Sequence, residues 1–268
     1  MTDIRKANIL GVLVSEVSYD TAVDQILKAA KDERGFSVTA LAVHGVMTGA
    51  KDKTHRYRLN HLDLVTPDGQ PVRWALNLLH GSKLKDRVYG PNLMLQLCSE
   101  AARNGIPIYL YGSREIVLSK LSANLRGRFP GLIVAGAAPS RFGRVTPVEK
   151  TEIAQGIKDS GAKLVFVGLG CPRQEVFAYE FRDELSMPVI AVGAAFDYHS
   201  GLASEPSEWV QRHGLQWLHR LVRDPKRLWK RYLLLNTSYV ARVAMQGLHL
   251  SHPEPLEVKA PDGDVLYA

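Results

Sequence analysis

The stretch Lys163–Glu175, KLVFVGLGCPRQE, decides the fold. Leu164, Val165, Phe166 and Val167 form a short apolar run flanked by turn residues. Such a run reads as a strand buried on both faces, as in parallel sheets. Gly168 and Gly170 follow and let the backbone turn sharply and approach a ligand closely. Pro172 suits the first position of a new helix. The strand therefore ends in a loop that feeds a helix N-terminus, where unbonded N–H groups and the dipole attract an anion. Arg173 adds a cation, and Gln174 and Glu175 add hydrogen-bonding groups. The competing reading is a tight strand-to-helix connection with a solvated polar turn. A full dinucleotide fingerprint is absent, because Gly-x-Gly is followed by Cys-Pro with no third glycine.

On either side of this stretch, strands and helices alternate. The hairpin or short strand at 9–17, the helix 19–32 and the strand 36–43 ending at His44-Gly45 come first. A helix over 46–57 follows, then a strand at 62–65 and the turn Thr66-Pro67-Asp68-Gly69. Further helices are expected over 71–79, 92–103, 114–129, 147–160 and up to Glu184, with strands at 106–111, 132–135 and 188–192. This alternation predicts an α/β fold: a Rossmann-like, mostly parallel sheet with helices on both faces. Ligands then bind outside the carboxyl ends of the strands, where Asp68, Gly112, Gly168 and Asp197 fall.

The chain has 268 residues, 46% of them hydrophobic and 23% charged, which suits one large α/β domain with an appendage. Its net charge of +7 suggests an anionic partner. The two cysteines, Cys98 and Cys171, fit a reducing compartment. No signal peptide and no run of apolar residues long enough to span a bilayer is read. The α/β domain is expected over 1–202, a basic helical appendage over 203–250 and a disordered tail over 251–268.

The appendage has a pattern of its own. Seven Lys or Arg lie between Trp209 and Tyr232, against two acids when Glu208 just outside is counted with Asp224. Trp209, Trp217, Trp229 and Tyr232 interleave with them, and leucines recur at helical spacing. Basic residues beside tryptophans on amphipathic helices suit an anionic membrane surface. The alternative is a terminal helical pair packed on the core. No nucleic-acid module accompanies the charge, so nucleic acid is not expected.

For chemistry, Asp68 is the first candidate base, a carboxylate in a turn after a strand; the competing role is to form that turn. Asp197 is a second carboxylate at a strand end, and His44 and His199 are candidate partners. No His/Cys/Asp/Glu set has metal spacing, and the sole Asp-x-Asp, Asp262 to Asp264, lies in the tail, so no metal is expected. No G-x-S-x-G elbow and no phosphate loop of the G-x-x-x-x-G-K type occurs.

Five motifs together resemble one family: TPDG (Thr66–Gly69), DRVYGPNLM (Asp86–Met94), VGLGCPRQE (Val167–Glu175), VGAAFDYHSG (Val192–Gly201) and GLQWLHRLVRDPKRLWKRY (Gly214–Tyr232). They are similar to the WecG/TagA/CpsF glycosyltransferases, in the same order, over roughly residues 8–235. The resemblance implies inverting transfer of a hexose from a UDP-sugar to a polyprenyl-diphosphate-linked sugar. It implies action at the cytoplasmic face of a bacterial membrane, peripherally bound, with no cofactor and no required metal. It makes Asp68 the general base and puts Arg87 near the donor site. Gln174 becomes the glutamine of the G-x-P-[KR]-Q-E loop, and Arg220 and Arg227 the arginines of an appendage that closes over the site. Where the family often shows Thr-x-Asn, this chain offers Thr39 or His44, and Asn92 stands where an acid is common. N-acetylmannosamine and glucose for an exopolysaccharide both remain as donors, and self-association into a homo-oligomer is left open. Two other readings are a non-catalytic nucleotide-binding module on a membrane and an NAD(P)-dependent enzyme.

Overall fold

A computed structural model describes residues 4–223, 225–256, 258–261 and 267. The chain opens with an antiparallel hairpin, β1 (Lys6–Ile9) and β2 (Val12–Ser15). It continues through α1 (Tyr19–Lys31), β3 (Phe36–Leu41), α2 (Val43–Lys51), α3 (Lys53–Asn60), β4 (Leu64–Pro67), α4 (Gln70–His80) and α5 (Gly90–Asn104). Next come β5 (Ile108–Gly112), α6 (Glu115–Arg128), β6 (Val134–Ala138), α7 (Pro147–Asp159), β7 (Leu164–Gly168), α8 (Arg173–Leu185), β8 (Pro188–Ala191) and the short α9 (Ala195–His199). Three helices close the chain: α10 (Glu208–Arg212), α11 (Gln216–Arg223) and α12 (Pro225–Gly247).

Strands β3 to β8 form one six-stranded sheet in the order β4-β3-β8-β7-β5-β6, with parallel pairing throughout. The expected α/β architecture stands. Side chains along each strand alternate between two cores. Val165 and Val167 face a cluster with Phe177, Phe181, Ala75 and Leu76. Leu164 and Phe166 face another with Ile26, Leu97 and Leu121. Both faces are thus covered by helices, which is why the strand residues are apolar without a polar side.

The helix expected over 46–57 is two helices that begin earlier. Asp52 ends α2, and its carboxylate accepts the N–H groups of Thr54 and His55 to cap α3. His44 therefore lies in the first turn of α2 and not at a strand end. Likewise Asp197 lies in α9 and is exposed. Helix α8 starts at Arg173, with Pro172 as its N-cap. The polar run of α3 is more buried than its composition suggests. Arg58 Nε donates to Glu180 Oε1 at 2.9 Å with both side chains nearly inaccessible, which fastens α3 to α8.

The appendage is partly core. Tyr239 and Val243 of α12 are buried in the same cluster as Phe177, and the Tyr239 hydroxyl donates to Pro71 O at 3.1 Å. Gln246 Oε1 accepts Leu10 N–H, and its Nε2 donates to Asn8 O. Beyond α12 the chain returns to the hairpin: Pro253 O accepts from Asn8 Nδ2 and Pro255 O from Asn60 Nδ2. The tail residues 257, 262–266 and 268 lie outside the described residues.

Candidate active site

The carboxyl ends of β3, β4, β7 and β8 form one rim of the sheet. Asp68 follows β4 directly, half-buried, with its backbone N–H donating to Leu41 O at 3.2 Å. Gly90 N–H, the first of α5, donates to Asp68 Oδ1 at 2.6 Å. The carboxylate thus sits on a helix N-terminus. A side chain at Gly90 would stand 3.0 Å from Ala40 Cβ, 3.4 Å from Asp68 Oδ1 and 3.4 Å from Val192 O. The ends of β3, β4 and β8 therefore meet around one glycine.

The Gly-Leu-Gly corner lies on the same rim. Gln174 Oε1 accepts Gly170 N–H at 3.2 Å, and a side chain at Gly193 would come within 3.0 Å of that oxygen. Gly193 directly follows Val192, so the Gln174 loop and the Asp68 loop are linked through the end of β8. Gln174 Nε2 donates to Glu175 Oε1 at 2.9 Å, and Thr39 Oγ1 donates to the same oxygen at 3.1 Å. Burial pushes the Glu175 carboxyl above its ordinary range, against the pull of these bonds.

Helices α2, α4 and α8, which begin at this rim, have no side-chain cap, while the first N–H of α5 is taken by the Asp68 carboxylate. By contrast α1, α3 and α7 are capped by Ser18, Asp52 and Thr146. An uncapped helix start leaves N–H groups for a ligand, and several at one rim suit a multiply charged anion.

Arg87 is 3% exposed and holds the appendage against the Asp68 loop. Its guanidinium donates to Asp68 O at 3.1 Å, to Gln216 Oε1 of α11 and to Gln211 Oε1 of α10 at 3.2 Å. It stacks on Tyr89, 4.3 Å from the ring centroid. Tyr89 N–H donates to the Tyr19 hydroxyl at 2.9 Å, which fixes the turn before α5. Burial pushes the Tyr19 phenol up to about 12, so it stays protonated at neutral pH.

Matched against known proteins, residues 7–253 fit the family model described as "Glycosyl transferase WecG/TagA/CpsF family". The chain belongs to that family. It is similar to the N-acetylglucosaminyldiphosphoundecaprenol N-acetyl-beta-D-mannosaminyltransferase of Bacillus subtilis (strain 168), with 28% identity over 79% of this chain and 80% of the relative. The protein of the same name from Bacillus spizizenii (strain W23) is 31% identical over 69% of each chain. The protein is therefore a glycosyltransferase of the hexosyl type.

Of the site residues expected in this WecG/TagA/CpsF chain, Asp68, Arg87, Thr39, Gly168, Gly170 and Gln174 come together on the rim. His44 is half-buried in the first turn of α2, beside that rim. His199 Nε2 bonds Pro91 O at 2.9 Å, a structural contact. The backbones of Arg220 and Arg227 lie on α11 and α12, and their side chains lie outside the described residues. Sequence reasoning did not single out Gln211 and Gln216, which both accept from the Arg87 guanidinium in the fold. It also missed Gly90, whose lack of a side chain lets Asp68 reach a helix start.

The double substitution Gln211→Ala with Gln216→Ala removes two acceptors from a charged donor, each worth about 1.5–3 kcal/mol. Amide hydrogen exchange of residues 208–223 is expected to speed up about tenfold or more, with β7 unchanged. Equal protection in the two proteins would contradict the latch.

Proposed function

We propose that the protein catalyses inverting transfer of a hexose from a UDP-sugar to a sugar carried on a polyprenyl diphosphate. One observation carries this reading: Asp68 and the 168–174 loop share one rim, joined through Gly90, Val192, Gly193 and Gln174. In this reading the donor diphosphate lies over the uncapped helix starts. The Asp68 carboxylate takes the proton of the acceptor hydroxyl as that oxygen attacks the anomeric carbon. The bond to the leaving UDP breaks as the new bond forms, so the anomeric configuration inverts. The relatives' names print a β-linked product, which fits inversion of an α-linked nucleotide donor.

The leaving diphosphate gains charge in the transition state. Helix N–H groups already aimed at the rim stabilise it with little reorganisation. Arg220 and Arg227 are proposed to reach the same charge from the appendage that Arg87 seats. Transfer then needs no metal, a reading supported by the sole Asp-x-Asp lying in the tail. N-acetylmannosamine is the first donor to test because the relatives' names print it, with glucose for an exopolysaccharide as the second. The non-catalytic module and the NAD(P) enzyme are not favoured by any observation.

The lipid acceptor calls for a membrane, and the appendage suits one as a peripheral surface on the cytoplasmic face. Among the described residues no helix is long and apolar enough to cross a membrane. Trp209, Leu218, Val222, Trp229 and Leu234 are exposed among the basic residues of α10 to α12.

Asp68→Asn is expected to lower turnover of UDP-N-acetylmannosamine with a short-chain lipid diphosphate acceptor by about 10²-fold or more. A near-wild-type rate in the folded variant would remove Asp68 as the base. Binding to phosphatidylglycerol vesicles is expected to weaken about tenfold or more in Trp209→Ser with Val222→Ser, since each buried apolar side chain is worth about 1.5–3 kcal/mol. Vesicle affinity equal to that of the unsubstituted chain would place the membrane contact elsewhere.

A further inference from the structure

Three metal-ligating side chains that the transfer does not use meet beneath the Gly-Leu-Gly corner. His55 comes from α3, Cys171 from the loop between β7 and α8, and Glu175 from the first turn of α8. A ring nitrogen of His55, Cys171 Sγ and a carboxylate oxygen of Glu175 all lie within 4.8 Å of one another. Among the described residues this is the only group of three such side chains so arranged.

His55 is 3% exposed and Glu175 1%. Nε2 of His55 and Oε2 of Glu175 are buried polar atoms with no hydrogen-bond partner among the described residues. Buried polar atoms are nearly always bonded, and each left unbonded costs about 1–3 kcal/mol. Two residues of one three-residue group, on different helices, each carry such an atom, which calls for a species that both residues can reach. The Cys171 side chain already hydrogen-bonds Glu175, so sulfur, carboxylate and imidazole form one connected group in which two buried atoms lack partners. We propose that His55, Cys171 and Glu175 bind one divalent transition-metal ion, zinc by the chemistry of the donors.

The donor set supports zinc in three respects. Mixed nitrogen, sulfur and oxygen ligands are those zinc selects. A thiolate and a carboxylate carry two negative charges, which a divalent ion cancels inside a buried pocket. Glu175 Oε1 is already held by Thr39 and Gln174. Bonds to the second oxygen of a ligating carboxylate orient it toward its metal. Ligand atoms around tetrahedral zinc stand about 3.3–3.8 Å apart, so any pair near the 4.8 Å limit must close by about 1–1.5 Å. Cys171 is only partly buried and sits in a loop, which gives the ion a way in. On binding, the Cys171 thiol proton passes to solvent, a sulfur–zinc bond forms and no electron is transferred. The ion ties α3, the 168–172 loop and α8 together and stiffens the corner from below. It has no role at the reacting atoms, so the proposal does not depend on the donor and acceptor assigned above.

The test is a titration of the untagged full-length chain, freed of metal by chelator, with cobalt(II) and then zinc. One cobalt per chain is expected, with thiolate-to-cobalt charge-transfer absorption in the near ultraviolet that zinc abolishes. Cys98→Ser should keep that absorption, since burial pushes the Cys98 thiol up to about 12. Cys171→Ser should lose it, and His55→Gln and Glu175→Gln should each weaken binding about tenfold or more. Circular dichroism confirms that each variant is folded. No thiolate band in the unsubstituted chain, a band that survives Cys171→Ser, or one affinity across all variants would overturn the proposal.

Discussion

The hydrogen bond from Gly90 N–H to Asp68 Oδ1 is the contact on which the site depends. It needs a strand that stops at Pro67, a helix that starts at Gly90 and no side chain at residue 90. Asp68 is thereby held by backbone on both sides: its own N–H binds β3, and its carboxylate binds α5. A carboxylate placed in this way depends little on its own rotamer freedom. The bond donor is the positive end of a helix.

Several helix starts gather at the same rim. A parallel sheet delivers each strand's carboxyl end to a helix N-terminus, so β3, β4 and β7 each present one to the same rim. Elsewhere Ser18, Asp52 and Thr146 cap α1, α3 and α7, whereas α6, α9 and α10 have no side-chain cap. At the rim α2, α4 and α8 start without a side-chain cap, which is the arrangement the proposed donor diphosphate would use. Arg87 then couples the rim to the appendage. One guanidinium touches the backbone of Asp68 and two glutamines of α10 and α11. The seating of the C-terminal helices and the position of Asp68 are thus parts of one arrangement.

The sheet was legible in the sequence because its signals are local. Apolar runs such as Leu164–Val167 and turn residues such as Pro67-Asp68-Gly69 mark strands and their ends without knowledge of contacts. Two local readings failed for identifiable reasons. Asp52 splits what looks like one helix, because its carboxylate caps the next one. His44 reads as the end of a strand because Ala42 and Val43 continue the apolar run, yet the helix has begun at Val43. The positions of Asp68 and Gln174 were legible as motifs, but their junction was not. It runs through Gly90 and Gly193, residues whose importance is the absence of a side chain. The meeting of His55, Cys171 and Glu175 was likewise hidden, since His55 lies over a hundred residues before the other two. The polar run of α3 gives no sign that it turns inward.

The most direct measurement is a crystal structure of the protein with UDP. The account predicts the diphosphate over the uncapped starts at the rim, beside the 168–174 loop, with the Asp68 carboxylate facing the space left for the acceptor. UDP bound away from that rim, with Asp68 and the Gly-Leu-Gly corner both untouched, would contradict it.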